Sequence, residues 1–246
     1  GGVGWGVVGR RRVRTRRLPA VRDPAVRATY VRNAVSALRP DAVVALVAAL
    51  DAQRSPEHLD VLLLVSVALA EPSLAELRER SAVEAHQLGL VDVAELLASH
   101  EADTPEIGEL RVPDFGVGRS LTLGERKSLA RKRERGVLQR VLRDPSPDVI
   151  RILLGNPSLT EPDVVQLAAL RPIDPASLRE IFRHPKWTIR YPVRRALVQN
   201  PYLELALALA LAPHLNVADA RRLAASPDLR IPLRRALGRV GGLRLH

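Results

Sequence analysis

Cysteine is absent from this chain of 246 residues, and so is methionine. Without cysteine there can be no disulfide, iron–sulfur cluster, Cys-rich zinc site or thiol catalysis. The cytoplasm is the simplest compartment for such a chain, although cysteine-free proteins can also be exported. Aromatic residues make up 3% of the chain against 46% hydrophobic overall, so the core must be built from Leu, Val, Ala and Ile. That palette suits stacked amphipathic helices better than a β-sandwich. No apolar stretch approaches the ~20 residues that span a bilayer. The longest, residues 61–70, has the length of a buried helix, so no membrane partner is expected. Residues 1–9 are too rich in glycine for a signal segment, and their arginines follow the apolar part instead of preceding it. With no methionine, residue 1 need not be the natural start. Lysine is nearly missing too: Lys127, Lys132 and Lys186 are the only three among 38 basic residues. GC-rich coding produces such a bias, so arginine in place of lysine carries little functional weight.

What is present is charge, unevenly placed. Residues 1–40 hold 10 Lys/Arg against 1 Asp/Glu, residues 41–120 hold 5 against 15, and residues 121–246 hold 23 against 11. The chain therefore reads as a disordered basic tail (1–20), an acidic helical subdomain (21–100), a linker (101–122) and a basic helical-repeat domain (123–246). The tail has four glycines in its first six residues and then Arg10, Arg11, Arg12, Arg14, Arg16 and Arg17. Nothing in it can offset the entropy of folding. The linker mixes Glu101, Asp103, Glu106, Glu109 and Asp114 with Pro105, Pro113 and three glycines. Between them, Asp23–Pro24, Pro40–Asp41, Ser55–Pro56 and Pro72–Ser73 open four helices, and Gly89 precedes a fifth ending near Ser99.

The basic domain contains internal repeats. Arg190-Tyr191-Pro192-Val193-Arg194-Arg195-Ala196-Leu197 recurs forty residues later as Arg230-Ile231-Pro232-Leu233-Arg234-Arg235-Ala236-Leu237. An earlier copy, residues 149–153, lies 44 residues before the matching part of the first. Asn156–Pro157 and Asn200–Pro201 follow two of the copies at that same spacing. Asp144–Pro145, His184–Pro185 and Ser226–Pro227 open the units, and a second helix lies between copies. Short helices with one apolar stripe are unstable alone and gain a core by stacking. The expected fold is all-α, with helix pairs stacked as an α-solenoid and a helical subdomain before it.

The run at residues 193–201, Val-Arg-Arg-Ala-Leu-x-x-Asn-Pro, resembles the second-helix signature of HEAT-type repeats. It is also similar to the leucine-rich repeat variant, a two-helix relative found in bacteria. The resemblance covers roughly residues 140–240, and Asp23 to Arg27 shares it faintly. It departs from the variant family in lacking the cysteines of that family's iron–sulfur module, and its repeat length drifts between 40 and 44. The resemblance implies a superhelical scaffold whose concave face binds other macromolecules; it implies no chemistry, and no catalytic, cofactor or metal residue is carried over.

Three constellations are candidates for an interaction surface. Arg151, Arg195 and Arg235 occupy one position in successive copies and should form a ladder, either bonded to an acid or carbonyl of the next unit or offered to a phosphate or carboxylate ligand. Trp187, Arg190, Tyr191 and Arg194 would form an exposed stripe on a continuous helix, opposite Ile189, Val193, Ala196 and Leu197. If Pro192 begins the helix instead, Trp187 falls in a loop and packs on the neighbouring repeat. Arg126, Lys127, Arg131, Lys132, Arg133 and Arg135 form a basic cluster that suits phosphate, an acidic surface or plain solvent. Gly4 to Gly9 matches G-x-G-x-x-G without the strand and helix a dinucleotide site requires. The six histidines show no metal-binding spacing, and no serine lies in a nucleophile elbow.

A non-enzymatic scaffold for a protein partner is the leading expectation. Nucleic-acid binding on a basic concave face is the alternative, as a few HEAT-like proteins do. In a third reading the acidic block folds back on the basic block until a charged partner displaces it.

Overall fold

The computed structural model describes residues 23–98 and 105–242. The expected tail with its G-x-G-x-x-G match, and the first part of the expected linker, lie outside the described residues. Among the described residues the protein is all-α, without strands. The chain divides into two compact units between Ala98 and Ser99.

Among its described residues the first unit has five α-helices: α1 (Pro24–Val35), α2 (Pro40–Gln53), α3 (Pro56–Leu69), α4 (Ala75–Gln87) and α5 (Val91–Leu97). Proline occupies the first turn of α1, α2 and α3, where its missing N–H is not needed. Asp23 accepts from the N–H of Ala25 at 2.8 Å and Ser55 from that of His58 at 3.4 Å, so both starts are capped. α4 ends in a Schellman turn, in which Leu90 N–H donates to the Ala85 carbonyl at 2.9 Å and Gly89 N–H to that of His86 at 3.0 Å. Gly89 takes φ +72°, the left-handed geometry this turn requires. α1 packs on α3, α2 on α3 and α4, and α4 on α5, around Val35, Val43, Leu50, Leu62 and Leu97. Arg78 is buried and donates to the carbonyls of Leu97 and Ala98, each at 2.8 Å. Those carbonyls end α5 and have no intrahelical partner, so the guanidinium satisfies them and meets the negative end of the helix.

Residues 105–122 carry no helix; Arg140 ties them down by donating to the Phe115 carbonyl at 2.9 Å. The second unit then runs α6 (Leu123–Leu129), α7 (Arg135–Val141), α8 (Pro147–Leu154), α9 (Glu161–Ala168), α10 (Pro175–Arg183), the single turn α11 (Pro185–Thr188), α12 (Tyr191–Gln199), α13 (Leu205–Leu211), α14 (Val217–Ala224) and α15 (Ile231–Gly241). Helices this short hold only by packing. Alternate helices lie together: α8 packs between α6 and α10, α12 on α9, and α15 on α13 as well as on its neighbour α14. Phe182, Trp187, Leu178, Ile181 and every residue of α13 are buried.

This packing changes the period read from the sequence. α8, α10, α13 and α15 begin at 147, 175, 205 and 231, and α7, α9, α12 and α14 at 135, 161, 191 and 217, so helices of one series recur every 26 to 30 residues. The recurrences of 44 and 40 residues instead match α8 with α12 and α12 with α15, helices of opposite series. One short amphipathic pattern serves both series because the matched helices α8, α12 and α15 each bury one stripe, whereas α13 is buried all round.

Candidate functional site

The helices α7, α9, α12 and α14 are joined to one another at their N-terminal ends by charged and polar side chains. Arg135, the first residue of α7, makes a two-pronged ion pair with Asp163 of α9, Nη1 to Oδ2 at 2.6 Å, and Gln139 adds a bond at 3.1 Å. Asp163 also closes a capping box, accepting from the N–H and hydroxyl of Thr160 at 2.9 and 2.6 Å. Glu161 opens α9 and lies 3.8 Å from Arg190, which precedes α12. The Tyr191 hydroxyl donates to Asp219 of α14 at 2.5 Å and accepts from the Asn216 N–H at 3.2 Å. Arg222 and Arg195 complete the group around Asp219, at 2.7 and 3.9 Å.

The physical logic is that helix N-termini favour carboxylates, and a carboxylate buried there needs a cation. Burial pushes the Asp163 carboxyl up, but Arg135 and the two Thr160 bonds outweigh it and hold it far below the ordinary range. The Tyr191 hydroxyl bond lowers Asp219 as well, against partial burial and with help from Arg195 and Arg222. Burial first, and the Asp219 carboxylate next, push the Tyr191 phenol up. The arginines keep their outer faces in water: the side chains of Arg135, Arg190, Arg195 and Arg222 are about half exposed. Ile189 precedes Arg190 and Val217 opens α14, and each is 49% exposed.

Other links satisfy carbonyls at helix C-terminal ends. Buried Asn156, after α8, donates to the carbonyls of Ala130 and Lys132 after α6, at 2.8 and 2.7 Å. Buried Asn200, after α12, does the same to Ala168 and Leu170 at the end of α9, at 2.8 and 3.0 Å. The Trp187 indole N–H donates to the Leu154 carbonyl at the end of α8, at 2.9 Å.

These links settle where the candidate residues lie. The exposed stripe of Trp187, Arg190, Tyr191 and Arg194 is not formed. Trp187 is 2% exposed, with the Lys186 ammonium 4.1 Å above its ring. The chain breaks between α11 and α12 because Pro192 has no N–H for the Thr188 carbonyl four residues back. Arg194 turns inward and supplies that bond from Nε at 2.6 Å. Arg234, its counterpart in the next copy, caps the Ala224 carbonyl of α14 at 3.1 Å. The ladder of Arg151, Arg195 and Arg235 is not formed either, since α8 packs with α6, α7 and α10 while α12 packs with α9, α11 and α13. Arg151 pairs with Asp148 of its own helix at 2.8 Å, and exposed Arg235 has no partner among the described residues. The basic cluster divides: Arg126 and Lys127 turn to Asp144 and Asp148 at 2.6 and 2.7 Å, Arg131 bonds the Lys127 carbonyl, and Lys132 and Arg133 are exposed before α7.

Sequence reasoning named Arg190, Tyr191 and Arg195 but missed Asp163, Asp219 and Arg222. The available signal was Thr160-x-x-Asp163 and Asn216-x-x-Asp219, two N-cap patterns 56 residues apart, twice the helix-pair spacing. Among the described residues no group of three or more His, Asp or Glu could hold a metal ion, and no single helix is long and apolar enough to cross a membrane. Compared with protein-family models, curated proteins and solved structures, the chain matches none.

Proposed function

We propose that this chain is a non-enzymatic protein-binding scaffold, its second unit a HEAT-like α-solenoid of stacked helix pairs. It takes an acidic, aliphatic segment of a partner protein along the N-terminal edge of α7, α9, α12 and α14. The observation that supports the reading is the composition of that edge, which carries the half-exposed Arg190, Arg195 and Arg222 and, beside Arg190 and at the start of α14, the half-exposed Ile189 and Val217. Arginine supplies forked recognition of carboxylates and the aliphatics supply desolvated contact area. Ile189 and Val217, each about half exposed, are what favour a protein partner, since a phosphate backbone offers aliphatic side chains no contact. The test is affinity capture by the full chain after nuclease treatment, with Ile189→Ser/Arg190→Glu alongside. A protein retained by the native chain and lost by the variant supports the reading. Capture that disappears with nuclease, or binding to duplex DNA that persists at physiological salt with a slope of several counterions, overturns it in favour of nucleic acid.

A further inference from the structure

Resting on the arginine edge proposed above, we infer that its acidic, aliphatic occupant is supplied by a second copy of this chain, as residues 105–115. That segment reads Pro-Glu-Ile-Gly-Glu-Leu-Arg-Val-Pro-Asp-Phe, with three carboxylates against the single Arg111 and with Ile107, Leu110 and Val112 between them. It carries no helix, as Pro105, Gly108 and Pro113 dictate. Glu106, Glu109 and Asp114 are exposed, Val112 is 43% exposed, and Ile107 and Leu110 are partly buried.

The receiving group is drawn together by Asp219, which lies 2.5, 3.9 and 2.7 Å from Tyr191, Arg195 and Arg222. One carboxylate therefore faces two guanidiniums. Arg222 is hydrogen-bonded to it. Arg195, at 3.9 Å, and Arg190, at 3.8 Å from Glu161, are within ion-pair reach but beyond hydrogen-bond length. Both side chains are about half exposed, which leaves their forked donors open to the carboxylates of another molecule. Glu106 and Glu109 match those donors, and the aliphatic residues between them match Ile189 and Val217.

Reach selects a second copy over the same chain. Arg140 of α7 holds the Phe115 carbonyl at 2.9 Å, whereas the arginines belong to α12 and α14 or directly precede α12, two and three helices along the linked series. At ordinary helix spacing the gap is about 20 to 30 Å. Residues 105–114 span about 35 Å when fully extended, so in their own chain they would be spent on the crossing. The segment of a second copy has no such tether. Two copies that exchange segments close as a two-fold dimer with two equal contacts.

The test is sedimentation of the full chain at concentrations up to roughly 0.1 mM, in the native protein and two charge-reversed variants. Glu106→Lys/Glu109→Lys alters the segment, and Arg190→Glu/Arg195→Glu alters the edge; all four side chains are exposed. The expected result is a native dimer that either variant weakens by about tenfold or more. Mixing the two variants should restore dimers, because native segment then meets native edge and reversed segment meets reversed edge. A variant that failed to fold could not be rescued in this way. A monomeric native chain, a dimer that persists in either variant, or no recovery on mixing overturns the proposal. A monomeric native chain that still binds a Glu/Leu peptide would sink this inference alone. No dimer and no bound peptide would sink the edge itself as well.

Discussion

Side-chain donors aimed at helix C-termini link helices whose apolar faces pack together. Asn200 is the clearest. Its amide donates to two carbonyls, and its own oxygen accepts the Tyr202 N–H at 3.0 Å. Asn200→Ala leaves those groups unpaired in a buried place and should cost about 2 kcal/mol, read by urea unfolding. A loss under about 0.5 kcal/mol would mean that the bridges contribute little beyond packing. Gly89→Ala probes a different cost. There is open space for its Cβ, so the penalty is conformational alone, about 1 kcal/mol for left-handed φ. Caps such as Asp23 and Ser55 are legible in the sequence because donor and acceptor lie within three residues. The asparagine bridges are not, because their carbonyls lie 24 to 32 residues away. The sequence shows only Asn-Pro twice.

At the scale of elements, the ends of helices matter more than their middles. α9 is anchored by buried Asp163, which pairs with half-exposed Arg135 and bonds Thr160. Its folded carboxyl titrates below the unfolded value of about 3.9, so the stability it adds is complete above that pH and drains away as pH falls toward the folded value. Asp163→Asn should therefore flatten the loss of stability as pH falls below about 4, while lowering stability at neutral pH. Equal pH dependence in the two proteins would remove Asp163 from the account. Helix existence is legible here: the proline-led starts at 24, 40 and 56 and the repeats in the second unit all correspond to helices. Their phase is not. The strongest sequence match, residues 190–197 with 230–237, joins helices of opposite series, because local amphipathicity records what each helix buries and not which neighbour buries it. For Trp187 the sequence leaves two readings open, and the structure takes the one in which Pro192 lies in the first turn of a new helix and Trp187 is buried.

For the whole molecule, the basic block read from the sequence falls within the second unit. Much of the second unit's positive charge is consumed by bonds inside the unit. In the proposed edge Arg190, Arg195 and Arg222 pair with Glu161 and Asp219 yet stay about half exposed, near Ile189 and Val217 in sequence. Of that edge, the arginines on α12 and Tyr191 are legible in the sequence. Their acidic partners are not, since each is supplied by a helix some 28 residues away, as Tyr191 and Asp219 are. The central claim is that the edge binds acidic protein at a defined place and not through net charge. The most direct measurement is the affinity of the full chain for a labelled Glu/Leu peptide, by fluorescence anisotropy, in the native protein, in Ile189→Ser/Arg190→Glu and in Arg235→Glu. The account predicts saturable binding that the edge variant weakens by about tenfold or more while Arg235→Glu leaves it nearly unchanged. Equal weakening by both variants, or no saturable binding by the native chain, would contradict it.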